Sequence, residues 1–155
     1  AILYGGIDSK EVTERATDPS GAMGAIQRIL SNEVACRNTA ADFLKEPKER
    51  RLFPLVEAGE TPGVSPEIDG RIRRTLANLH LRLLGRHDSV DSEEVGRSFQ
   101  LFAGIVAEAK GRKGIENRES YYCRFGKEVP DPDYTIRAWR ATLTYLLRRR
   151  EFLYE

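Results

Sequence analysis

The sequence predicts an all-α fold, a single irregular bundle of about five helices joined by two long ordered loops. Three observations carry that prediction. Apolar residues recur at spacings of three and four through most of the chain, the period of one helix face. These segments open on start signals: Asp18-Pro19, Ser65-Pro66, Asp91 and Asp131-Pro132. No segment supplies the Val/Ile-rich run that a strand covered on both faces requires. At 155 residues the chain is the size of one domain with one sizeable core, so residues 1–155 are read as a single helical unit.

The first element follows Tyr4-Gly5-Gly6-Ile7-Asp8-Ser9. Two glycines allow a tight turn or the close approach of a ligand, and a helix N-terminus offers free N–H groups. Asp8 and Glu11 form a capping box for a short helix beginning near Ser9, with Val12 and Ala16 facing inward. A second helix starts at Pro19; Met23, Ile26, Leu30 and Val34 mark its inner face, and it runs to about Arg37 or on through Phe43 and Leu44 until Pro47 ends it.

Between Pro47 and Pro66 stand four prolines and two glycines, a composition that opposes regular structure. Leu52, Phe53, Leu55 and Val56 are too apolar for solvent, so this loop is expected to pack back onto the helices. Ser65-Pro66-Glu67 then opens the clearest helix, with Ile68, Ile72, Leu76, Leu79 and Leu83 on one stripe and Gly85 at its end. Asp91 and Glu94 make another capping box, followed by Val95, Phe99, Phe102 and Val106 to about Lys110. Residues 111–130 read as a second loop around the island Tyr121-Tyr122-Cys123-Arg124-Phe125. The last helix starts at Asp131-Pro132 and carries Ile136, Trp139, Leu143, Leu146 and Leu147 inward. It ends on Arg148, Arg149 and Arg150, cations that suit the negative end of a helix dipole.

Charge and composition exclude several classes. Lys plus Arg number 25 against 24 acidic residues, a net +1 that lacks the basic excess of a nucleic-acid binder. No apolar run reaches the ~20 residues of a membrane span. His80 and His87, seven apart, have no Cys or carboxylate set at ligand spacing and read as surface or interface histidines, so no metal or cofactor is expected. Cys36 and Cys123 form one disulfide or remain two thiols; spacing does not decide between them.

Two resemblances add to this reading. Gly5-Gly6-Ile7-Asp8-Ser9 resembles the pyrophosphate loop of the ATP pyrophosphatases, with Tyr4 where that family has its first serine. The resemblance implies backbone contact at Gly5 and Gly6, a hydroxyl from Ser9 and magnesium at Asp8. Only Ala1, Ile2 and Leu3 precede it where that family has a buried strand, so a structural turn is the preferred reading. The second resemblance spans nearly the whole chain. It rests on Gly5–Arg15, Asn32-Glu33-Val34-Ala35-Cys36, Leu52-Phe53-Pro54-Leu55-Val56-Glu57, Leu79-His80 with Leu83-Leu84-Gly85, and Tyr134–Trp139 through Phe152-Leu153-Tyr154-Glu155. These blocks resemble the C-terminal helical region of large exported planctomycete- and myxobacterial-type proteins of unknown function, associated with cytochrome-c-like modules. That implies an exported or periplasmic location, oxidised cysteines and no catalytic residues to carry over.

The function expected from all this is a non-enzymatic helical interaction or scaffold module of an exported bacterial assembly with redox, cytochrome-like partners. It would be a fragment or subunit needing a protein neighbour, with no small-molecule ligand. Arg71, Arg74, Arg82, Arg148, Arg149 and Arg150 form the expected interaction surface, and a third reading is an electrostatic adaptor whose arginine-rich helix docks an acidic protein. The alternative is a phosphate- or nucleotide-binding protein using Gly5, Gly6, Asp8 and Ser9.

Overall fold

A computed structural model describes residues 19–112, 119–124 and 126–153. Among these the chain is all-α, with four helices where about five were expected; the short helix placed near Ser9 lies outside the described residues. Helix α1 is Pro19–Phe43, α2 Pro66–Leu79, α3 Glu93–Gly111 and α4 Thr135–Leu153. A π-helical turn, His80–Leu84, prolongs α2. A 3-10 turn, Pro47–Glu49, interrupts the first loop, and β1 (Ser120–Tyr121) pairs antiparallel with β2 (Val129–Pro130) in the second.

The helix ends follow the sequence with small displacements. Ser65 Oγ accepts from Ile68 N–H at 3.1 Å with Pro66 as first helical residue, which satisfies one orphan donor of α2. Gly85, at φ 67°, ends the π turn in the left-handed region that glycine enters without cost. The cap of α3 is Ser92, one residue beyond the expected Asp91; its Oγ accepts from Val95 N–H at 3.2 Å. Helix α4 starts at Thr135, four residues after Asp131, yet Asp131 still caps it. Its carboxylate accepts from the backbone N–H of Ile136 (2.9 Å) and Arg137 (3.1 Å), and from Arg137 Nε at 2.8 Å. Tyr134 turns the chain between them at φ 63°.

The described buried apolar residues other than Ile26 form one contiguous cluster. At its centre Trp139, fully buried, lies 5.3 Å from the ring of Phe53 and 4.2 Å from that of Phe102, while Phe53 stacks on Phe43 at 4.9 Å. The first loop therefore contributes to the core as expected, through Phe53 and Val56. Aromatic pairs in such arrangements contribute about 0.5–1.5 kcal/mol each beyond burial.

Helix α1 departs from the expected pattern. Ile26 faces inward, but Met23 and Val34 are exposed, and the buried face of the helix's second half is Ser31, Ala35, Thr39 and Phe43. The reason is its partner: α1 packs most extensively against α4, and small residues let two helices approach closely. The larger Val34 is thereby turned onto the edge of the contact. Cys36 and Cys123 are joined in a disulfide with Cα atoms 5.5 Å apart, within the ordinary range, which ties the hairpin loop to α1. The turn after Cys123 requires glycine, since a Cβ on Gly126 would stand 2.7 Å from the Cys123 carbonyl oxygen.

Candidate functional site

The site is assembled around a carboxylate. Asp42, near the end of α1 and almost fully buried, accepts from three successive backbone N–H groups: Arg51 (2.9 Å), Leu52 (3.0 Å) and Phe53 (2.9 Å). Three charge-assisted hydrogen bonds fix the path of the loop against the helix. Arg50 fixes it from the other side. Its guanidinium donates to the carbonyls of Lys45 (3.0 Å) and Val56 (2.9 Å), pairs with Glu57, and lies 5.1 Å from the ring centre of Phe43.

The clamped loop, α1, the end of the π turn and α4 enclose a groove of about 400 Å³. Helix α1 contributes Val34, Asn38 and Ala41, which recur at four and three residues and so share one face, and Lys45 follows two residues after its end. The opposite walls are apolar: Leu52 from the loop, Leu83 from the π turn, Leu143 and Leu147 from α4. Arg51 and Arg82 complete the lining. Arg82 Nη1 donates to the Arg51 carbonyl, and the Lys45 carbonyl accepts from Arg50. The groove is thus lined by apolar side chains and three cations.

Some described arginines are ion-paired and others, Arg28, Arg73, Arg74, Arg140 and Arg148 among them, are not. Arg37, Arg50, Arg71, Arg86, Arg97, Arg112, Arg124, Arg137 and Arg149 each stand within ion-pair distance of a carboxylate. Lys45, Arg51 and Arg82 pair with none among the described residues, and the only carboxylate in the groove, Asp42, is committed to three amides.

The arginines of the surface expected from sequence differ in their surroundings. Arg71 is engaged by Glu60, and Arg149 lies 3.7 Å from Glu94. Arg74 and Arg148 are exposed and do not line the groove, and the side chain of Arg150 lies outside the described residues. Of the five whose side chains are described, Arg82 alone lines the groove. Gly5, Gly6, Asp8 and Ser9 lie outside the described residues.

His80 corrects a second expectation, for it is fully buried, whereas His87 is exposed. Its Nδ1 is 2.9 Å from Asp88 Oδ2 and its Nε2 2.8 Å from Ser98 Oγ. Asp, His and Ser in that order have the connectivity of a hydrolytic triad. The Ser98 hydroxyl, however, lies on the inner face of α3 with the residue 1% exposed, so no carbonyl carbon can approach it. The constellation fastens the π turn, the loop after it and α3 to one another. Asp88 also takes the Arg86 guanidinium at 3.2 Å; that hydrogen bond outweighs burial and, with a further contribution from His80, holds the Asp88 carboxyl below its ordinary pKa. The signal for His80 was in the sequence, since it stands four residues after Leu76, on the core stripe.

Near the disulfide, Tyr121 donates its hydroxyl to the Cys36 carbonyl at 2.9 Å, and burial pushes the phenol up to about 12. Among the described residues no group of three His, Cys, Asp or Glu could hold a metal ion, and no helix is long and apolar enough to cross a membrane. Comparison of the chain with family models, curated proteins and solved structures finds no match.

Proposed function

We propose that this chain is a non-enzymatic helical interaction module of an exported assembly, and that the groove between α1, the clamped loop and α4 is where a protein partner seats. The observation that carries the reading is the groove itself. Val34 remains 43% exposed beside Leu52, Leu83 and Leu147, an apolar strip held open by a loop that Asp42 and Arg50 make rigid. A preformed apolar concavity with a few fixed polar groups is the usual form of a recognition site. The Cys36–Cys123 disulfide supports the exported setting, because such bonds persist in oxidising compartments.

Site-specific photocrosslinking in the native host tests the proposal. A photoreactive residue at Ala41, on the groove wall, is expected to give one discrete adduct, and the same residue at exposed Glu67 on α2 none. Equal labelling from both positions, or none from Ala41, would remove the groove as the contact site.

A further inference from the structure

We infer that the groove takes an acidic amphipathic segment of a partner protein, its apolar side chains on Val34, Ala41 and Leu147 and its carboxylates on Lys45, Arg51 and Arg82. The inference rests on the reading just given and adds the chemistry of the occupant. Charge complementarity is its basis. Three cations line the groove with a single carboxylate, Asp42, which is buried and turned onto backbone amides. An acidic partner supplies what the groove lacks, and its charges steer approach and fix register.

The dimensions favour a peptide segment over a small amphiphile. From Val34 to Ala41 is two helical turns, about 10 Å, the length over which a partner helix presents apolar anchors at i, i+4 and i+7. A fatty acid could span that distance, but its one carboxylate would leave most of the three lining cations uncompensated.

The test is fluorescence anisotropy on the intact, oxidised chain with labelled helical peptides of about four turns: one built of Glu and Leu, one of Lys and Leu, one of Glu and Ala. The Glu/Leu peptide is expected to bind at least ~10-fold more tightly than either of the others, and to weaken several-fold between low and moderate salt. Lys45→Glu and Arg51→Glu should each cost ~5-fold or more, while Arg74→Glu, off the groove, changes nothing. Ala41→Trp, which fills the groove from an exposed position, should abolish binding. Equal affinity for the Lys/Leu peptide, salt insensitivity, displacement of the Glu/Leu peptide by dodecanoate, or no Glu/Leu binding at roughly 1 mM would overturn the acidic-peptide assignment. Binding that persists unchanged in Ala41→Trp would instead overturn the groove reading beneath it.

Discussion

Replacing Asp42 by Ala is expected to be among the most destabilising single changes on the polar side of this fold. The side chain accepts from three amides, of which the Phe53 N–H is buried and those of Arg51 and Leu52 are partly so. Stranding the buried donor costs about 1–3 kcal/mol, and each of the other two, which can recruit water, about 0.5–1.5 kcal/mol. The sum centres near 4 kcal/mol. For a chain of this length that corresponds to a fall in melting temperature of roughly 8–16 °C. Asp42→Asn separates charge from shape: one amide oxygen remains to accept, while the NH2 group faces donors it cannot satisfy, so about half the loss is expected. Urea denaturation followed by circular dichroism, with an unchanged slope, measures both. A loss under about 1 kcal/mol in Asp42→Ala would refute the claim that this carboxylate organises the loop. The same variant should weaken whatever the groove binds, because Arg51 and Leu52 would no longer be held on its wall.

Further expectations concern the other polar clusters. Ser98→Ala leaves the buried His80 Nε2 without its partner and should lower stability by about 1–3 kcal/mol in denaturant titration; any ester hydrolysis lost with it would contradict the structural role assigned to Ser98. Because the folded Asp88 carboxyl titrates below its ordinary 3.8, its contribution is present above that value and lost as pH falls through the depressed pKa. Asp88→Asn should flatten this part of the acid-denaturation profile, and an unchanged profile would count against the pairing with Arg86 and His80. Reducing the disulfide opens a constraint between residues 87 apart, for which chain entropy gives about 4.5 kcal/mol. A melting temperature insensitive to reductant would show that the hairpin loop is held by its other contacts alone.

The helices were legible because their cues are local. Ile72, Leu76 and Leu79 on α2, and Val95, Phe99, Phe102 and Val106 on α3, are buried as their spacing predicts. The face of α1 was misread because a periodic apolar stripe and a stripe of small residues compete, and only the approach of α4 decides which is inside; Val34 was lost to Ala35 on that account. The groove was illegible for a related reason. It joins Ala41, Leu52, Arg82 and Leu147 from four separate segments, and nothing in the spacing of one segment records the others. Sequence likewise shows where cations stand but not which carboxylates reach them: Glu60 takes Arg71 from eleven residues away.

The π turn at His80–Leu84 gives the groove an unusual sensitivity to insertion and deletion. A π turn accommodates one residue more than an α-helical turn over the same rise. Removing any one residue between His80 and Leu84 would let α2 continue as ordinary helix, and the side chains beyond would swing by about 100° around its axis. His80 would keep its place or Arg82 and Leu83 would keep theirs, but not both. Length in this short stretch is thus a determinant of recognition in its own right, independent of which residues fill it.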